Sequence, residues 1–374
     1  MAKLIDITGK ALAGEWGTDD ETGDGIPVLR TTNFTNEGVV NYKDVVTRTI
    51  TKKNIEDKFL RKGDIIIEKS GGSDKFPVGR VIYFEGEEKT YLFNNFTGLL
   101  RVKNQDFWYP KYVFYSLFAN YKRGGTRAFE NKTTGLHNLK TDDYVTRYEV
   151  VETDKVEQIL ICDKLDKLYG VIKLREHELQ LLDDLIKARF VELFGDVQHE
   201  EKYKGIQLRE LCLTMSGGTP STKFPEYYEG DIPWISTVSL GPNYIDGTTA
   251  KGYITQEAID NSTTKLIPAG NILFGTRVGV GKSSLNNVDI CTNQDIVAIV
   301  GIDESKFNRL FIKHVLDAYQ PYYDSIKKGA TILGITGDDL KDTLIPNVPI
   351  ETQIEFEKFV NQVDKSKVVD IKAA

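Results

Sequence analysis

The stretch "FGTRVGVGKSS", residues 274–284, is dense in glycine and runs through Gly281-Lys282-Ser283. How it is read decides the fold. A phosphate-cradling loop would place the chain among the α/β nucleotide-binding proteins. Such a loop needs a glycine, four residues and then Gly-Lys-Ser/Thr, so that successive backbone N–H groups converge on the phosphates. Thr276 stands where that glycine is required, and Gly275 comes one residue too early. No run of four apolar residues closed by an acid follows at a plausible distance to supply a magnesium ligand. The stretch therefore reads as strand–turn–strand with a basic residue in the turn.

The rest of the chain supports that reading because it says the same thing twice. "IEKSGGSDKFPVGR" (67–80) is the counterpart of the glycine run, with Gly79-Arg80 standing in for Gly281-Lys282. Around it, "GDGIPVLRTTNF" (23–34) is echoed by "EGDIPWISTVSL" (229–240), and "LRKGDIIIEKSGG" (60–72) by "IPAGNILFGTRVG" (267–279). "NNFTGLLRV" (94–102) is echoed by "TNQDIVAIV" (292–300), and "TTGLHNLKTDDY" (133–144) by "ILGITGDDLKDT" (332–343). "VEQILICDKLDKL" (156–168) returns as "ETQIEFEKFVNQV" (351–363). Echoes in one order over copies of about 150 residues describe a duplicated domain rather than a solenoid.

Within each copy, short β-branched runs such as "GDIIIEKS" and "DIVAIV" alternate with Gly, Asn, Asp and Pro turns, as strands do. Helical stretches at 108–121 and 308–320 sit late in each copy. Trp234, beside Pro233 in a strand-like run, reads as core. "TGDDLKD" (336–342) reads as a capped helix start with acids near the positive end of the dipole. The expected fold is α+β, with two repeated α/β domains separated by long helices.

Those helices follow the copies. From Thr153 to Phe194 there is no proline and only Gly170. Leu165, Leu168, Ile172, Leu179, Leu182 and Ile186 recur at spacings of three and four, the pattern of a coiled-coil seam over roughly 40 residues and about 60 Å. A second, shorter helix begins at Pro349-Glu351 and carries Ile354, Phe359 and Val363. The two are expected to pair as an antiparallel coiled coil, pseudo-twofold symmetric. The expected boundaries are 1–152, 153–199 (spacer helix), 200–349 and 350–374 (second helix).

Composition bounds the function. The net charge is −7, but twelve acids against seven bases lie between Glu152 and Glu200. Acidity is thus concentrated in one segment and does not exclude nucleic acid elsewhere. Three distant cysteines form no disulfide framework or zinc motif, and neither a leader nor a membrane span is apparent. A cytoplasmic protein is expected. His137, His177, His199 and His314 form no ligand-spaced pair, so no metal is expected; the three in helical or linker context read as surface residues. No N/D-P-P-Y/F tetrapeptide is present to hold a base for methylation, and no cofactor is expected.

Duplex reading needs Lys and Arg for phosphates, and Arg, Lys, Asn, Gln and Thr for base edges. Three loop clusters per copy supply both. In the first copy these are Lys69, Ser70, Lys75 and Arg80; then Asn94 and Asn95; then Lys122, Arg123, Arg127, Asn131, Lys132, Thr133, His137 and Asn138. In the second they are Thr276, Arg277 and Lys282; then Asn293 and Gln294; then Lys327, Lys328 and Thr331. A turn role competes equally for Asn94, Asn95 and Asn293.

"SGGTPSTKFPEYYEGDIPWIS" (216–236), "KLIPAGNILFGTRVGVGKSS" (265–284) and "TNQ" (292–294) resemble the target-recognition domain of type I restriction-modification specificity subunits. "LDDLIKARFVELFGD" (182–196) resembles the end of their central spacer helix. The resemblance implies a non-catalytic subunit whose two target-recognition domains each read one half of a bipartite double-stranded DNA site. It implies two methyltransferase subunits as partners, with restriction subunits in the full complex. The second helix is shorter than the resemblance leads one to expect. That leaves open a scaffold, or a truncated half-specificity or anti-restriction protein; the remaining alternative is a nucleotide-binding enzyme.

Overall fold

The computed structural model describes residues 1–133, 136–199 and 202–371. The chain is mixed α/β and divides into two compact units, Met1–Leu174 and Arg175–Ala374.

In the first unit, strands β1 (Leu12–Ala13), β2 (Ile65–Glu68), β3 (Ser70–Gly72), β4 (Val81–Tyr83) and β5 (Thr97–Leu100) precede helix α1 (Pro110–Lys122). An antiparallel sheet forms in the order β1-β5-β2-β4. The run Ile65-Ile66-Ile67 is apolar at every position because both faces of β2 are covered. Ile65 and Ile67 join a core with Val113, Leu117 and Phe118 of α1. Ile66 faces the other way, onto Leu29, Phe34 and Phe93. A second sheet centres on Ile26–Leu29, antiparallel to Val46–Thr49 and parallel to Leu92–Phe93. A three-stranded ribbon joins β3 to β6 (Glu130–Thr133) and β7 (Leu136–Leu139) in the order β6-β7-β3. Helix α2 (Lys155–Phe194) follows.

The second unit repeats this pairing order. Strands β8 (Leu213–Ser216), β9 (Tyr244–Ile245), β10 (Ile272–Gly275), β11 (Ser283–Asn286) and β12 (Ile296–Val300) form a sheet ordered β8-β12-β10-β11-β9. Ile272 and Phe274 again point to one core and Leu273 to another. The counterpart of the second sheet is Ile232–Ile235, between Gly252–Ile254 and Cys291–Thr292. Trp234 is buried there, donating its indole N–H to the carbonyl of Gly218 at 3.0 Å. Helices α3 (Arg309–Ala318) and α4 (Ile350–Ile371) complete the unit.

Within the second unit, the end of α2 packs along α4. Ile186, Phe190 and Phe194 meet Phe356, Val360, Val363 and Phe311 of α3 in one buried cluster. Arg189 reaches Glu355 at 2.7 Å and Lys367 reaches Asp183 at 2.6 Å, so the paired segments run antiparallel.

The expected seam differs in its face. Leu182, Ile186, Phe359 and Val363 do lie in or against this cluster, and Leu165 and Leu179 are half-buried. Leu168 and Ile172, however, are 59% and 51% exposed, and Ile354 is also exposed. The reason is that α2 packs on its own unit first. Gln158 and Cys162 are buried, Asp166 accepts bonds from Lys111 and Tyr115, and the Tyr169 ring stacks on Tyr115. That face is set by helix α1, and it turns Leu168 and Ile172 outward. Nor is His314 a surface residue. Its side chain is 11% exposed, its ring meets Phe356 at 5.1 Å, and burial holds the imidazole well below its ordinary value.

Candidate nucleic-acid interface

The glycine run of the second unit is a β-hairpin. β10 and β11 pair antiparallel, with Phe274 opposite Ser283. The Gly275 N–H donates to the Lys282 carbonyl at 2.9 Å, Gly281 to Gly275 at 3.0 Å and Lys282 to Gly279 at 3.1 Å. The Gly281 and Lys282 amides, which a phosphate loop would aim at a nucleotide, are spent inside the turn, and a strand follows where such a loop needs a helix. The nucleotide-enzyme alternative is corrected on that ground. Gly279 and Gly281 have positive φ, and so does Val278 at 30°, a conformation a β-branched residue rarely adopts.

The turn carries its polar groups on one side. Arg277, Val278 and Lys282 are exposed, while Thr276 is buried and donates its hydroxyl to the Asp295 carbonyl at 3.1 Å. Arg277 bridges to Gly334, and Lys328 bridges to the same glycine. This ties the hairpin to the loop holding Lys328 and Thr331, both exposed. Lys327 is half-buried and paired with Asp324. Asn293 is half-buried, its amide donating to Asp295; Gln294 is exposed and accepts from Thr219 at 2.5 Å.

In the first unit the equivalent loop runs from β2 through β3 to β4. Two of the expected contact residues of this unit are structural. Arg80 donates to the carbonyls of Phe34 and Thr31 at 3.0 and 2.9 Å and faces buried Glu68 at 3.4 Å, whose carboxyl burial pushes upward. His137 is 4% exposed, with Nδ1 2.9 Å from Glu130 and Nε2 3.5 Å from Asp74. A guanidinium and an imidazole held this way tie loops together. Asn94 is likewise buried, its backbone N–H donating to Leu29 at 3.0 Å. Thr276, His137, Arg80 and Asn94 are thus corrected to supporting positions.

The remainder are available to differing degrees. Lys69 and Ser70 are half-buried, and burial lowers the Lys69 ammonium. Lys75, Asn95, Lys122, Arg123, Arg127 and Asn131 are exposed, and Asn138 is half-buried. The side chains of Lys132 and Thr133 lie outside those described. Lys75, Lys122, Arg123 and Arg127 converge on one cleft of 420 Å³, with Phe76 and Tyr121. Phe76, Val278, Ile332 and Leu333, absent from the expected contacts, are all more than half exposed. Their signal was an apolar residue set among Lys, Arg and Gly in a turn.

A larger cavity of 870 Å³ lies in the second unit between α2, α3 and α4. Its charges are already matched: Lys313 donates to Asn243 and Asp317 at 2.9 and 2.7 Å, and Lys367 to Asp183 and Asp364. Among the described residues, no cluster of His, Cys, Asp and Glu could hold a metal ion, and no helix is long and apolar enough to cross a membrane.

Each unit combines paired sheets, cation-bearing loops and a following helix. Residues 200–373 match the family described as Type I restriction modification DNA specificity domain. The chain is 28% identical over 159 residues to the type I restriction enzyme MjaIX specificity subunit of Methanocaldococcus jannaschii, covering 42% of this chain and 37% of that protein. It is 30% identical over 165 residues to the EcoR124I/EcoR124II specificity subunit of Escherichia coli, covering 42% and 39%. These alignments span about two fifths of the relatives' length. The crystal structure of the type I restriction-modification S subunit from M. genitalium shares the fold at a TM-score of 0.56 and 15% identity, over 100% of this chain and 91% of that one. Residues 200–373 thus carry the domain of that family, and the chain is similar to specificity subunits of type I restriction-modification systems.

Proposed function

We propose that the chain is the non-catalytic DNA-reading subunit of a type I complex, in which each unit reads one half of a bipartite duplex. Residues 1–152 and 200–349 are the two target-recognition domains, related by a pseudo-twofold axis. Residues 153–199 and 350–374 are the spacer helices, which set the gap and dock two methyltransferase subunits, with restriction subunits joining in the full complex. One observation carries this reading. The same sheet position in each unit ends in a loop that is tied to a second loop and ringed by exposed cations: Lys75 and Arg127 in one, Arg277, Lys282 and Lys328 in the other. Cations on phosphates supply affinity, and the adjacent polar groups supply base discrimination.

The test uses the full chain with its methyltransferase partner and duplexes drawn from the adenine-methylation pattern of the source genome. A bipartite duplex should shift at one gap length, and lengthening the gap by a few base pairs should abolish the shift. Equal binding at every gap length sinks the spacer role.

A further inference from the structure

In the first unit, the loop between β3 and β4 is pinned along its length yet presents a phenyl ring to solvent. Ser73 N–H donates to the Phe76 carbonyl at 2.7 Å, and Phe76 N–H donates to the Ser73 hydroxyl at 3.1 Å. Arg127 donates to the carbonyl of Asp74 at 3.1 Å and to that of Lys75 at 3.4 Å. Val78 N–H donates to Glu130 at 3.0 Å. Pro77 restricts Phe76 to an extended backbone. The ring is 53% exposed at the end of this fixed turn.

An apolar group held rigidly in water calls for a partner, and its surroundings say which. The cleft beside the ring is lined by Lys75, Lys122, Arg123 and Arg127, with no carboxylate among its lining residues. The Lys75 ammonium lies 5.3 Å from the ring centroid. Four cations around one flat apolar surface complement a polyanion that carries aromatic faces, which is nucleic acid. A protein partner would have to bring several carboxylates to the same spot. Duplex DNA brings phosphates at the rim and a base step at the centre.

The second unit makes the same choice with a different residue. At the equivalent turn, Val278 is 54% exposed, keeps a left-handed φ of 30° and lies between Arg277 and Lys282. Ile332 and Leu333 stand exposed on the loop tied to it through Gly334. A β-branched residue kept in a strained backbone with its side chain in solvent is placed for contact rather than for packing.

We propose that Phe76 is an apolar wedge that stacks on a base step of the first half-site, flanked by cations that position the phosphates. This rests on the DNA-reading function proposed above. The wedge makes Phe76 a specificity-determining residue through the deformability of the step it enters.

The experiment selects bound duplexes from a pool with a randomised core, using the full chain with its methyltransferase partner. Wild type should enrich a bipartite sequence. Phe76→Ala should lose information at one or two adjacent positions of a single half-site. It should also bind the wild-type sequence roughly tenfold more weakly, the loss expected of a missing base–aromatic stack. Its salt dependence should not change, since no charge is removed. Phe76→Trp should restore both. 2-Aminopurine placed at the affected step should brighten with wild type and Phe76→Trp but not with Phe76→Ala. An unchanged sequence preference and affinity in Phe76→Ala overturns the wedge while leaving DNA reading intact. So does loss of methyltransferase co-purification with DNA affinity preserved, which would make the ring a protein contact. If wild type itself enriches nothing, DNA reading fails, and the wedge with it.

Discussion

Gln158 and Gln353 hold the same post in the two units. Gln158 accepts from Tyr109 N–H at 2.8 Å and donates to the carbonyls of Phe107 and Thr153. Gln353 accepts from Asn308 N–H at 2.8 Å and donates to the carbonyls of Lys306 and Val348. Both side chains are fully buried. Each staples the first turn of a long helix to the loop that opens the preceding helix, satisfying backbone groups no other side chain reaches in these bonds. Gln353→Leu and Gln158→Leu should each lower the stability of their own unit by roughly 2–4 kcal/mol, because a buried amide and two carbonyls lose partners. Urea unfolding followed unit by unit checks this, and a change below about 0.5 kcal/mol would mean that water replaces the amide.

The helix pair should draw its stability from rings rather than charges. Phe356 is fully buried, with Phe190 and Phe194 both 5.5 Å away between ring centroids. Phe356→Ala should cost about 3–5 kcal/mol through lost burial and the cavity left behind. The Arg189–Glu355 pair has a carboxylate 60% exposed and is screened by solvent, so Arg189→Ala should cost far less. Denaturation of the two variants side by side should rank them in that order; reversal would mean the ion pair organises the helices.

Much of this was legible in the sequence, and what was missed has a common cause. Strand runs buried on both faces, such as Ile65-Ile66-Ile67, announce themselves because every position is apolar. The duplicated order was readable for the same reason, since repeated strands and turns keep their residue types. The helix face was not. Heptad spacing finds Leu168 and Ile172, but the buried face runs through Gln158, Cys162 and Tyr169, chosen by contacts with α1 that no local period encodes. The loops behaved alike. Composition identified Arg80, Asn94 and His137 as candidates, yet long-range bonds to Phe34, Leu29 and Glu130 made them supports.

His314 should make the second unit acid-sensitive. Its imidazole is buried against Phe356 and Phe190, with Nε2 lacking a hydrogen-bond partner. Burial lowers its pKa first, then the neighbouring ammonium groups of Lys313 and Lys367. The nearest carboxylate, Asp317, is 3.8 Å from Nδ1. With the folded value below the unfolded one, the unfolded chain binds the extra proton, so stability is full above the unfolded value and falls as pH drops below it. Acidification from about pH 7.5 to about pH 5.5 should destabilise this unit with a slope of up to roughly 1.4 kcal/mol per pH unit. His314→Leu should flatten that dependence. An equal slope in the variant would assign the acid sensitivity elsewhere.

The loop cations divide into those that hold the protein and those free to hold DNA, and mutation should separate them. Arg277 and Lys282 are exposed on the β10–β11 turn, whereas Arg80 is bonded to Phe34, Thr31 and Glu68. Neutralising Arg277 and Lys282 together should leave thermal stability within about 0.5 kcal/mol. It should reduce the slope of log affinity against log salt by about two, one released counterion per lost phosphate contact. Arg80→Gln should do the reverse. Glu68 is then left buried without its partner, so the first unit loses stability, while the salt slope measured on protein that remains folded is unchanged. Binding across a salt series, with unfolding measured on the same preparations, reads both quantities. A salt slope that falls with Arg80→Gln and not with the Arg277 and Lys282 pair would invert the assignment, because only a cation that meets phosphate can release counterions from it.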